Sequence, residues 1–366
     1  MTIAIAAVLV AAAPAYSVIT LHSLGGSASG ANSIDDAGWI SGLSTLPGDQ
    51  VVHAALWVHG QAVDLGALGG PAANSGVAWP NHASRAVVGI SETSAVDPLG
   101  ETWSCAAFIP TTGHTCVGFV WRDGAMSPLP TLGGNNGYAA GANRQGQVVG
   151  WAETAVHDPT CVGKQKLGFE AVLWDGGRAQ ALPPLSGDPT SAATAINDRG
   201  QVVGISGACY KAVGASSAAH AVIWENGVPA DIGNLGGGAW NTAAAINGRG
   251  QVVGFSDLPG DGPDDPNFHA FSWSRQGGIR DLGTLPGDFL SLAYGINETG
   301  VIVGQSIGRG SRAFVVANGV MADLNALVPA GSPLLIYAND VNDRGEIVGQ
   351  AFDGSDFVTF VAVPSR

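Results

Sequence analysis

Residues 195–206 read AINDRGQVVGIS, and residues 245–256 read AINGRGQVVGFS. A near-identical dodecamer with Asn and Arg at its centre is either a binding motif used twice or the punctuation of a repeated fold. Alignment on the last Gly of QVVG separates the two readings. The pattern recurs, with decay, as SIDDAGWISG (33–42), PNHASRAVVG (80–89), GANRQGQVVG (141–150), AINDRGQVVG (195–204), AINGRGQVVG (245–254), GINETGVIVG (295–304) and DVNDRGEIVG (340–349). The anchors Gly42, Gly89, Gly150, Gly204, Gly254, Gly304 and Gly349 lie 47, 61, 54, 50, 50 and 45 residues apart. Such a period belongs to a propeller or a repeat array.

Each unit has further parts. After a variable insert comes an apolar strand: HAALW (53–57), VGFVW (117–121), EAVLW (170–174), HAVIW (220–224), HAFSW (269–273) or RAFVV (312–316). A turn such as Glu225-Asn226-Gly227 then leads to DLGALGG (64–70), DIGNLGG (231–237) or DLGTLPG (281–287). One unit is therefore four strands, the content of a propeller blade. The seventh unit ends after three strands, while VITLHSLGG (18–26) matches the fourth-strand pattern of AVDLGALGG (62–70). An N-terminal strand that completes the last blade removes the open edges of the ring. The expected fold is all-β, a seven-bladed β-propeller over residues 17–366, ahead of a β-solenoid or two separate sandwiches.

Within the dodecamer, Asn at the first turn position bonds its own backbone two residues on, and Gly supplies the positive φ at the exit. Asn143, Asn197, Asn247, Asn297 and Asn342 fill that place, Asp35 substitutes, and His82 stands in the decayed second unit. A catalytic group is not needed in so many copies around a ring, so the dodecamer reads as punctuation. His53, His220 and His269 are interchanged with Glu170 and Arg312, which excludes a shared metal chemistry. Trp57, Trp121, Trp174, Trp224 and Trp273 read as packing between blades, and the recurring Gly-x-Ser lacks the second Gly of a nucleophile elbow.

Composition sets outer limits. Charged residues are 12% of the chain, Gly reaches 55 copies, and the formal net charge is −14 with three lysines. That surface repels phosphate backbones and anionic lipid, so neither nucleic acid nor a membrane surface is an expected partner. Residues 1–16, MTIAIAAVLVAAAPAY, fit the apolar core and small-residue cleavage site of a secretory signal, without the leading positive charge. The run is too short to span a bilayer. Four cysteines agree with export and two disulfides, and four thiols allow three pairings.

The cycle HAFxW…DLGxLxG…AINxxGQVVGxS, clearest at 219–306, resembles the HAF family of extracellular bacterial repeats. The resemblance covers nearly the whole chain. It implies export, to an extracellular or periplasmic location, and a propeller-like repeat. It implies no activity and transfers no catalytic residue.

Blade topology still narrows the search for a site. The short NDRG and ENG turns crowd one face, whereas the variable inserts and LGG crossings crowd the other, and binding tends to occupy variable loops on a rigid scaffold. The inserts hold all four cysteines. Cys105 and Cys116 are placed to staple one insert, and Cys161 and Cys209 to tie neighbouring blades. A thiol metal site is the rival reading, although the spacing matches no zinc pattern.

The fifth insert gathers Asp257, Asp261, Asp264 and Asp265, oxygen donors of the kind calcium takes, with a solvated acidic loop as the alternative. Trp103, Tyr138, Tyr210, Trp240, Phe289 and Tyr294 are the aromatics of this face. With Asp261 and Asp288 they suggest an acidic aromatic bowl for a glycan or peptide. Tyr138, Trp240, Phe289 and Tyr294 have interblade packing as their other reading. The expectation is a secreted, monomeric, non-enzymatic scaffold binding a glycan or protein. The alternatives are a polysaccharide hydrolase or lyase using Asp188, Asp261 and Asp288, and a structural surface array. No cofactor beyond calcium is expected.

Overall fold

The computed structural model describes residues 16–77, 86–101, 103–210, 217–260 and 267–365. They form seven four-stranded antiparallel sheets in a ring, a β-propeller. In blade four the strands Thr190–Ile196, Val202–Gly207, His220–Glu225 and Val228–Asp231 run in chain order from the axis to the rim. In the seventh blade the outermost place belongs to the N-terminal strand Tyr16–Leu21. It pairs antiparallel with Phe357–Pro364, from Tyr16 opposite Pro364 to Leu21 opposite Thr359. The expected closure is the observed one.

The anchor glycines owe their recurrence to a close approach. In six blades the innermost strand carries a bulge, as between Ala193 and Ala195 or between Ala243 and Ala245. The extra residue forces the strand toward its neighbour. A β-carbon on Gly204 would lie 2.0 Å from the carbonyl oxygen of Ala192, and on Gly254 1.8 Å from that of Thr242. The other five anchors face the same obstruction. In the second blade the inner strand is Ser75–Gly76, and His82 lies outside the described residues.

The apolar strands bury their tryptophans between blades. The indole N–H of Trp57 donates to the His22 carbonyl, that of Trp174 to Pro130 and that of Trp224 to Pro183. All three acceptors follow the outer strand of the preceding blade. The residue before the Ala-Phe pair answers to the outer strand of its own blade. His53 bonds Asp64, His220 bonds Asp231, His269 bonds Asp281, and Arg312 bonds Asp323. Where the register puts Pro128, Ala181 or Thr20 in place of the aspartate, Val117, Glu170 or Val358 replaces the cation. The interchange that excluded a metal is thus a matched pair, kept or lost together.

Candidate functional site

On the turn face the repeated asparagines form a latch that runs from the third blade round to the first. Each Oδ1 accepts backbone N–H groups of its own turn, as Asn197 does from Arg199 at 3.0 Å and Gln201 at 3.1 Å. Each Nδ2 donates to the backbone carbonyl of the equivalent residue in the next blade. Asn143 reaches Asn197, Asn197 reaches Asn247, Asn247 reaches Asn297, Asn297 reaches Asn342, and Asn342 reaches Asp35, at 2.9–3.3 Å. The turn role was expected; the bond to the next blade is an addition. Both ends of these buried amides are engaged in the fold.

The next residue in these turns adds a second set of bonds, interrupted at Gly248, which has no side chain. Asp198 accepts the Arg144 N–H at 2.9 Å, Asp343 that of Glu298 at 2.8 Å, and Asp36 that of Asp343 at 3.0 Å. Glu298 accepts the N–H of Gly248. The Arg144 guanidinium bridges Asp36 at 2.9 Å and Asp198 at 3.4 Å. Together these residues rim a cup of about 100 Å³ floored by Ile196, Ile246, Ile296 and Val341. Burial pushes the Asp35 carboxyl above its ordinary value, despite N–H donors from Trp39 and Ala37. The charged rim is hidden in the sequence because Asp36, Arg144, Asp198, Glu298 and Asp343 fall on a variable position of an otherwise regular turn.

On the insert face the recurrent serines are structural. Leu24, Leu68, Leu185, Leu235 and Leu285, each on a crossing into the next blade, donate N–H to Ser44, Ser91, Ser206, Ser256 and Ser306. These serines are buried and none is presented as a nucleophile. Three residues beyond the anchor Gly stand Glu92, Glu153 and Asp257, all fully buried. Each accepts backbone N–H from the start of its inner strand: Asn74 for Glu92, Asn135 and Asn136 for Glu153, Ala239 and Trp240 for Asp257.

The expected ligand residues are placed as follows. Tyr210 and Phe289 are exposed, at 47% and 58%. Tyr138 corrects the expectation of an exposed aromatic: it is buried, stacked on Phe108 at 4.4 Å. Trp240 is half-buried. Tyr294 packs toward the axis with its hydroxyl 3.0 Å from Gln305 Oε1, and burial raises its phenol pKa. Trp103 opens the short helix Trp103–Ala106. Asp288 is ion-paired to Arg312 at 2.8 Å. Of the calcium set, Asp257 is buried as described, and Asp261, Asp264 and Asp265 lie outside the described residues.

The inserts of blades two, three and four are laced into one platform. Disulfides join Cys105 to Cys116 and Cys161 to Cys209. Asp158, near the second bridge, is left with two oxidised sulfurs that cannot serve as thiolate ligands. Glu101 of the second insert accepts the N–H groups of Lys166 and Leu167 of the third, and Tyr210 of the fourth donates to Thr160 of the third. From this platform Val96, Leu99, Val156, Val162 and Tyr210 reach solvent. Among the described residues no helix is long and apolar enough to cross a membrane.

No protein-family model and no curated protein matches the sequence. Several solved structures resemble the fold. The acylaminoacyl peptidase of Pyrococcus horikoshii is 8% identical over 88% of this chain and 49% of that one, with a TM-score of 0.48. The extracellular domain of a hybrid two-component system from Bacteroides thetaiotaomicron is 9% identical over 95% and 40%, with a TM-score of 0.48. An oligogalacturonate lyase in complex with manganese is 12% identical over 96% and 91%, with a TM-score of 0.49. The chain spans less than half the length of the first two. Likeness at this level says nothing of activity.

Proposed function

We propose that the chain is a secreted, monomeric, non-enzymatic propeller of HAF-type repeats, extracellular or periplasmic, that binds a glycan or protein partner through its insert face. The observation that carries this reading is the platform over blades two to four. Three inserts that follow no repeat template are tied together by the Cys161–Cys209 disulfide and by the backbone bonds to Glu101 and Thr160, with Cys105–Cys116 stapling the second insert within itself, and they hold Val96, Val156, Val162 and Tyr210 toward solvent. A rigid surface with exposed apolar and aromatic groups loses little entropy on binding.

The second reading, a polysaccharide hydrolase or lyase, draws on Asp188 and Asp288. They hold equivalent positions two blades apart, and each already has a partner, Ser206 at 2.7 Å and Arg312 at 2.8 Å. Carboxylates for glycosidic chemistry must instead converge on one bond. A purely structural surface array leaves the exposed platform without a role. Probing glycan and peptide arrays with the whole protein tests the reading: one class should be captured, and Tyr210→Ala with Val162→Asp should release it at an unchanged melting temperature. Turnover of a polysaccharide would overturn it, as would capture that survives both changes.

A further inference from the structure

Beneath the platform, where the second insert meets the third, lies a cluster of buried oxygen atoms. Asp97, Glu101 and Glu153 are exposed by only 5%, 0% and 0%. Their hydrogen bonds are all to neutral donors. Asp97 accepts from the backbone of Leu99 and Glu101 and from the Asn136 amide at 2.8 Å. Glu153 accepts from Asn135, from Asn136, and from the Gln165 amide at 3.0 Å. Glu101 Oε1 accepts from Lys166 N at 2.7 Å and Leu167 N at 2.6 Å. Among the described residues no Lys, Arg or His pairs with these carboxylates. The Lys166 ammonium, the nearest cation in sequence, is held outside on the Leu99 carbonyl.

Among the described residues, two buried oxygens of the cluster have no hydrogen-bond partner: Glu101 Oε2 and Gln165 Oε1. Both flank the same short segment. Gln165 donates its amide to Glu153 and to the Leu167 carbonyl, and Glu101 receives the Leu167 N–H. Both are acceptors, so neither can satisfy the other. Burial, with the neighbouring Glu101 charge, pushes the Glu153 carboxyl above its ordinary value. Buried anionic charge without a counter-ion is strongly unfavourable, and an oxygen-only donor set suits a hard divalent cation.

We propose that Glu101 Oε2, Gln165 Oε1 and the Glu153 carboxylate form a site for a divalent cation, Ca²⁺ by its chemistry, that fastens the second insert to the third. The site is distinct from the acidic fifth insert and lies on no repeated position except that of Glu153. It neutralises the uncompensated charge and supplies a partner for both orphan oxygens at once. Its occupancy orders the ground on which the platform stands.

Calorimetric titration of chelator-treated whole protein with CaCl₂, beside thermal melts with and without Ca²⁺, tests the assignment. One Ca²⁺ should bind per chain and raise the melting temperature, as a ligand specific to the folded state does. E101Q should lose the binding and the shift, yet melt no lower than the parent in chelator. The substitution removes a buried charge, and its amide can donate to Gln165 Oε1. Gln165→Met, which keeps the packing, should weaken Ca²⁺ roughly 10–100-fold. Replacing Asp261, Asp264 and Asp265 with Asn should leave the titration unchanged. The proposal falls if Ca²⁺ gives neither heat nor a shift, if E101Q and Gln165→Met bind as the parent does, or if the fifth-insert variant alone loses binding.

Discussion

The side-chain amide of Asn197 donates to the backbone carbonyl of Asn247 at 3.0 Å, fifty residues along the chain and one blade around the ring. The same side chain closes its own turn through Oδ1. Asn197→Ala therefore removes a turn cap and an interblade bond together and leaves the Asn247 carbonyl with the Gly250 N–H as its remaining donor. A loss of about 1–3 kcal/mol is expected in urea unfolding. Asn197→Asp keeps the turn cap through Oδ1 and removes the donor to the Asn247 carbonyl, so it should lose part of that stability. An unchanged unfolding midpoint for Asn197→Asp would mean that the latch does not bind the blades.

The closing strand makes a larger claim. Deleting residues 18–26 strips Phe357–Pro364 of its partner and removes the carbonyl that holds the Trp57 indole. An unpaired strand edge then faces solvent. Lost solubility or a large fall in melting temperature is the expected result, and a truncated protein as stable as the parent would refute the closure.

Most of the fold was legible because each blade repeats the same physical problem. The Gly at the bulge, the Asn at the turn and the Trp between blades recur wherever the backbone demands them, so one alignment exposes the blades and their closure. What escaped depends on contacts between blades or within inserts. The Asn197–Asn247 bond leaves no mark in sequence beyond the repeat itself. Glu92, Glu153 and Asp257 share a position but have no counterpart in the other units, so their common role is hidden and Asp257 reads as part of the acidic fifth insert. Of the two readings of Tyr138, packing between blades is the one that holds, and sequence could not choose it because its burial depends on Phe108, carried by an insert whose conformation follows no template.

The anchor glycines give a sharp test of close approach. Gly204→Ala drives a β-carbon against the Ala192 carbonyl, backbone against backbone, and should cost roughly 1–3 kcal/mol or more. Gly238 has nothing within 4 Å of its would-be β-carbon, so Gly238→Ala serves as the control and should be near neutral. Equal effects at the two sites in chemical denaturation would remove the bulge from the explanation.

The two disulfides should differ in weight. Cys105–Cys116 closes a separation of 11 residues and Cys161–Cys209 one of 48. By chain-entropy reasoning they contribute about 3 and about 4 kcal/mol, so the Cys161→Ala/Cys209→Ala pair should destabilise more. Non-reducing peptide mapping of the oxidised protein should recover both crosslinks and no free thiol. A different pairing would dismantle the laced platform.

The two faces should separate recognition from stability. Replacing Tyr210 and Phe289, both exposed, changes the insert face, where length, cysteines, acids and aromatics depart from the repeat. Partner capture should vanish while the melting temperature stays within a degree or two, since surface changes away from buried features alter stability by only about 0.5 kcal/mol. Asn197→Ala should do the opposite, lowering the melting temperature while capture at low temperature persists, because its amide is engaged at both ends within the fold. The measurement is paired: binding of the captured glycan or peptide, and a thermal melt, on each variant. If Asn197→Ala abolishes capture at an unchanged melting temperature, the dodecamer is a recognition element and the turn face, with its rim of Asp36, Arg144, Asp198, Glu298 and Asp343, is where the partner sits.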